Sequence, residues 1–121
     1  MARFERFDAW RRCHELALAI HDATKCWPPS ERYGLVSQAR RAAFSAAANI
    51  AEGSAKRGSH ELARYLDISL GSLAEVAYAL VFARDAGILP PEEHERLSEL
   101  QTRAEISTWH FYRSLPRRPQ S

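Results

Sequence analysis

Phe7, Trp10, Cys13, Leu16, Ile20, Ala23 and Trp27 recur at steps of three or four, the apolar stripe of a helix from Asp8 to Trp27. Asp8 suits its N-cap, and Pro28-Pro29 ends it. After the loop PPSERYG, an alanine-rich pattern predicts a second helix from Leu35 to about Ala55, with Gly58 and Ser59 supplying the stop and the next N-cap. Leu62, Leu66, Ser69, Leu73, Val76, Leu80 and Ala83 then alternate steps of four and three, the seam of a bundle helix, with Tyr65, Ile68 and Phe82 expected to widen its buried face. Gly87-Ile88-Leu89-Pro90 reads as a left-handed C-terminal glycine, an apolar contact and a proline stop. Pro91-Glu92-Glu93 opens a fourth helix that turns Leu97, Leu100, Ala104, Ser107 and Phe111 inward. No strand-like alternation occurs. The pattern predicts an all-α, antiparallel up-down-up-down four-helix bundle over residues 1–115, followed by a disordered basic tail, 116–121.

The second helix holds the unusual stretch, QARRAAFSAAANIAEG, with seven alanines in sixteen residues. At 100° per residue, Gln38, Arg41, Ser45, Asn49, Glu52 and Lys56 form a polar stripe, while Leu35, Ala39, Ala43, Ala46 and Ile50 face the core. Arg40, Phe44, Ala47 and Ala51 form a third, mostly small face. So few large side chains let neighbouring backbones approach on several sides, which makes this the central member of the bundle. A solvated helix face favours Glu and Lys, so Ser45 and Asn49 argue for fixed hydrogen bonds. Gly71 interrupts the third helix at a cost of about 1 kcal/mol relative to alanine, as expected where another backbone comes close.

Composition narrows the chemistry. The chain has 121 residues and a net charge of only +2, so any preference for nucleic acid has to come from where the charges sit. From Arg32 to Arg64 there are six basic and two acidic residues; from Glu92 to Glu105 there are five acidic and two basic ones. No uninterrupted apolar run approaches a membrane span, and the start, MARFERFDAW, lacks the apolar centre of a secretory signal, so a soluble cytoplasmic protein is expected. Cys13 and Cys26 fall on one predicted helix, roughly 20 Å apart, beyond disulfide reach, and are expected to be reduced and half-buried. The five histidines lack a second ligand at helical spacing, so no metal or cofactor is expected. Glycine-rich phosphate loops, nucleophile elbows and paired Glu-x-x-His arrays are absent too, which argues against an enzyme.

Two segments, YGLVSQARRAAFSAAANIAEG (Tyr33 to Gly53) and LARYLDISLGSLAEV (Leu62 to Val76), resemble the signature blocks of the four-helix-bundle proteins encoded in intervening sequences of bacterial 23S ribosomal RNA genes. The opening FERFDAWRRCHELALAIHDATKCWP and the turn AGILP fit the same pattern, so the resemblance spans about Phe4 to Leu115. It implies a cytosolic homopentamer of bundles, and similarity to the nucleic-acid-binding accessory protein of diversity-generating retroelements. The family's recurrent polar positions fall on Gln38, Arg40, Arg41, Asn49, Glu52, Gly53, Gly71, Ser72 and Glu75.

Two function classes follow. In the first, a non-enzymatic oligomer has an RNA-associated accessory role, with Arg40, Arg41, Lys56 and Arg57 meeting phosphates. Trp10, Trp27 and Trp109 are assigned to core or interface, so aromatics interleaved with these arginines are not expected. In the second, the oligomer is an adaptor that binds a protein partner and no nucleic acid. Either way, Asn49, Glu52, Gly71, Ser72 and Glu75 are expected to form a polar seam, flanked by Gln38, between the second and third helices or between subunits. Arg40 or Arg41 should be paired to a carboxylate in it.

Overall fold

The computed structural model describes residues 1–116, and four α-helices dominate it: α1 Asp8–Ala23, α2 Ser37–Ser54, α3 Gly58–Asp85 and α4 Pro91–Ser114. The expected tail lies outside the described residues beyond Pro116. α1 stops four residues short of Trp27 because Thr24 folds its hydroxyl back onto the Ile20 carbonyl at 2.7 Å, and the chain tightens into a 3-10 turn, Thr24–Cys26. A π-helical turn, Arg32–Val36, leads into α2 one turn earlier than the loop reading allowed. Asp8 is the first residue of α1 rather than its cap, and the cap position before α3 is Arg57, not Ser59.

α1 and α3 each pack against both α2 and α4, so the helices stand at the corners of a square. Contacts between α2 and α3 run in opposite chain senses: Gly53 meets Leu62 and Tyr65, while Ala46 and Ser45 bond to Ser69 and Ser72. Gln101 lies about as far into α4 as Leu73 lies from the end of α3, and its amide donates to the Leu73 carbonyl at 3.0 Å. Gly87 takes a φ of 76°, and the amides of Ile88 and Leu89 close on the Ala83 carbonyl while Leu89 is buried.

The core is the expected stripe with local rotations. Cys13, Leu16, Ile20, Ile50, Leu66, Leu73, Val76, Leu80 and Leu97 are fully enclosed. On α2, Ala39, Ala42, Ala43, Ala46 and Ala47 are all buried, but Phe44 on the third face is 71% exposed. Ile68 and Phe82 do not widen the buried face of α3: both are nearly half exposed. α4 turns Gln101 and Thr108 inward and leaves Leu100, Ser107 and Phe111 partly covered, a shift of one residue along its seam. α3 is 28 residues long with a stretch of mean hydropathy 1.5, enough by length and composition to cross a membrane. One face of it, from Leu66 to Ala83, is buried in the bundle, and Ser69 there donates to the Ala46 carbonyl at 2.7 Å.

Candidate functional site

The polar stripe of α2 meets α3 through one small knot. The hydroxyls of Ser45 and Ser72 share a hydrogen bond of 2.9 Å, and the Asn49 amide donates to the Ser45 carbonyl at 2.9 Å and to its hydroxyl at 3.0 Å. Each of these three side chains is partly buried. Gln38, Glu52 and Glu75 stand outside the knot and are exposed, and among the described residues no hydrogen bond or ion pair ends on the two carboxylates. Gly71 is exposed too, with nothing inside 4 Å of the place its Cβ would occupy, so no backbone of this chain approaches it. The close approach is at Gly53, where a Cβ would stand 2.7 Å from Tyr65 Cβ.

Neither arginine of the Arg40-Arg41 pair meets a carboxylate. Arg40 reaches across to the end of α1, where its Nε donates to the Thr24 hydroxyl at 2.8 Å and its NH2 to the His21 carbonyl at 3.0 Å. A cation at a helix C-terminus satisfies carbonyls that have no partner in the helix, and Arg40 does so at the end of α1. Arg40 is therefore a structural clamp rather than a free phosphate contact. Arg41 is exposed. Lys56 and Arg57 are exposed at the far end of α2, about 20 Å away at 1.5 Å per residue, so the four candidate cations do not form one patch.

A larger grouping takes its place. Because α2 starts beside the end of α1 and packs along it, the end of α2 returns to the start of α1, and the segment Arg3–Arg6 touches α2. Phe7 and Phe111, 4.7 Å between ring centres, bring the end of α4 to the same place. This end of the bundle gathers Arg3, Arg6, Arg11, Arg12, Lys56, Arg57, Arg64 and Arg113 against Glu5, Asp8, Glu52 and Glu61. Of these, Arg3, Arg6, Lys56, Arg57 and Arg113 have no ion pair among the described residues. Cations here lie over aromatic rings: Arg64 and Lys56 over Tyr65 at 4.9 and 5.8 Å, Arg6 over Phe7 at 5.4 Å, and Arg113 over the half-exposed Trp109 at 6.0 Å. Aromatics interleaved with arginines are thus present after all, assembled from three separate segments. The opposite end mixes Asp22, Glu31, Asp85, Glu92, Glu93 and Glu95 with Lys25, Arg32, Arg40, Arg84 and Arg96, and Asp22, Asp85 and Glu93 are each paired with a neighbouring cation.

The sequence signal for this end was weak because Arg3, Arg6, Arg64 and Arg113 are scattered along the chain. Asp8 is held below the usual carboxylate range, first by the Ser107 hydroxyl donating at 2.6 Å and then by the Arg12 guanidinium. Cys13 is buried against Thr108, and burial pushes its thiol up to about 11, while Cys26 is exposed; the two are not alike as the half-buried expectation had it. Among the described residues, no group of three or more His, Cys, Asp and Glu side chains is placed to hold a metal ion.

The signature blocks lie where α2 and α3 pack, so the residues that carried the resemblance are those that build the tightest contact in the fold: Gly53 on Tyr65, Ser69 on Ala46, and the Ser45–Ser72–Asn49 knot. No curated protein matches the chain. The model of the 23S rRNA-intervening sequence protein family matches residues 5–106, from the aromatic segment before α1 to within α4, and the chain belongs to that family.

Proposed function

We propose that the chain is a non-enzymatic, cytosolic bundle that assembles as a homopentamer and serves as an RNA-associated accessory protein, meeting phosphates with its basic end. The observation that carries this reading is the excess of cations at one end of the bundle. Three unpaired cations there, Arg6, Lys56 and Arg113, lie beside aromatic faces, the combination that tracks a single-stranded backbone and stacks its bases. The proposed contact surface takes Lys56 and Arg57 together with Arg6, Arg64 and Arg113, and leaves out Arg40, whose guanidinium is held at the end of α1. Self-assembly is supported by Phe44 and Ile68, which leave more apolar surface on α2 and α3 than a lone bundle needs.

The test is RNA binding by fluorescence anisotropy over a salt series, paired with light scattering for mass. We expect a mass five times that of the chain, and an affinity that falls linearly with salt on logarithmic axes. Replacing Lys56 and Arg57 by alanine should flatten that slope by about 1 to 2. Absence of binding at low salt refutes the RNA role. A pentamer indifferent to RNA would favour the adaptor reading, for which the exposed apolar face is the supporting observation.

A further inference from the structure

A second surface, beside the start of α2, carries carboxylates instead of cations and goes beyond that reading. The π-helical turn and the start of α2 stand beside the C-terminal half of α3, and between them runs a groove of about 520 Å³, lined by Glu31, Leu35, Gln38, Glu75, Tyr78 and Phe82. Glu31, Leu35 and Gln38 succeed one another at steps of four and three along one wall; Glu75, Tyr78 and Phe82 do so along the other. Tyr78 is 67% exposed and Phe82 47%, and their rings meet edge to face at 6.4 Å. Neither Glu31 nor Glu75 has a cation partner among the described residues.

We propose that this groove docks an arginine or lysine side chain presented by a partner protein. Two unneutralised carboxylates beside exposed aromatic faces suit a cation, by charge and by ring quadrupole together. Leu35 offers an apolar wall for the methylene stem. A phosphate backbone would be repelled by Glu31 and Glu75, so this is not a continuation of the basic end. The groove is open along one side, so a small free amine would keep much of its hydration there. A side chain held by a partner's backbone brings further contact area with it, which offsets that cost.

The experiment uses the full chain and a fluorescein-labelled helical probe peptide carrying one arginine flanked by leucines one turn away on either side, followed by anisotropy. A control peptide has citrulline, the neutral isostere, in place of arginine. The citrulline peptide, and the Glu31→Gln/Glu75→Gln variant, should each bind at least tenfold more weakly. Glu92→Gln, a charge change outside the groove, should bind as the parent does. All three proteins should melt together, since both groove carboxylates lie outside the core. Equal binding of the arginine and citrulline peptides overturns the proposal, as does undiminished binding by Glu31→Gln/Glu75→Gln, or no binding at all. Agmatine competing as strongly as the whole peptide would make the occupant a small amine and overturn it. So would a fall in assembly mass in Glu31→Gln/Glu75→Gln, which would make the occupant a second copy of this chain.

Discussion

Gly53→Ala adds one methyl group where α2 and α3 come closest. The new Cβ would stand 2.7 Å from Tyr65 Cβ and 3.1 Å from Leu62 Cδ1. Tyr65 Cβ is fixed to the α3 backbone, so no rotamer change relieves the contact; the helices must part by about 1 Å to restore ordinary carbon–carbon separation. Overpacking of this kind costs about 1–3 kcal/mol. Alanine returns up to about 1 kcal/mol through its higher helix propensity, and less here because α2 ends at Ser54. The net expectation is a loss of about 1–2 kcal/mol, which lowers the melting temperature by about 5 °C in a chain of this size. Gly71→Ala is the matched control, because nothing lies within 4 Å of its Cβ position in the middle of α3. It should raise stability by about 0.5–1 kcal/mol. Thermal and urea unfolding followed by circular dichroism reads both variants. A Gly53→Ala protein as stable as the parent, or an exchange of the two outcomes, would refute the reasoning. Light scattering on Gly71→Ala adds a separate answer, since a drop in assembly mass would show that another copy's backbone approaches there.

Removing the Arg40 side chain should free the end of α1 and cost about 1–2 kcal/mol by chemical denaturation; Arg40→Lys should recover only part, because a single ammonium cannot span the Thr24 hydroxyl and the His21 carbonyl as the guanidinium fork does. A thiol reagent at pH 8 should label Cys26 rapidly in the native protein, and Cys13 only after unfolding, since burial holds the Cys13 thiol near 11; two fast thiols would contradict that placement. The lowered pKa of Asp8 gives stability that is present above its ordinary value and lost as pH falls through the folded one. Ser107→Ala should therefore flatten the acid limb of a stability–pH curve, by less than about 1 kcal/mol because Asp8 is half exposed.

The helices and most of the core were legible because a step of three or four between apolar residues constrains which face is buried, whatever the neighbours are. Phe82 and Ile68 were misplaced because apolarity alone does not tell a core position from one left for a partner, and the inward face of α3 was already filled by Leu66, Leu73 and Leu80. Gln101 and Thr108 were missed for the converse reason. Each is polar, and its burial depends on an acceptor or a thiol supplied by another helix, Leu73 in one case and Cys13 in the other. The glycines show the same limit: helix propensity marked Gly71 as costly, but only the packed structure shows that the intimate contact belongs to Gly53.

The adjacent arginines of α2 show why a charge count along a segment differs from a charged surface. Consecutive residues on a helix point about 100° apart. Arg40 therefore turns toward the end of α1 and is consumed there, while Arg41 faces out. What survives as electrostatic surface is decided by antiparallel packing, which brings the two ends of distant segments together. It gathers Arg3 with Lys56, Arg57 and Arg113 at one end, whereas at the other Asp22, Asp85 and Glu93 are each paired with a basic neighbour. If that difference between the ends governs RNA contact, reversing charge at Lys56 and Arg57 should abolish binding. Reversing it at Arg41, which lies inside the same basic stretch of sequence, should change affinity by no more than about threefold at moderate salt, where exposed charges about 20 Å apart are screened from one another. Equal losses from both changes would mean that the stretch acts as a unit and that the ends of the bundle are not its functional division.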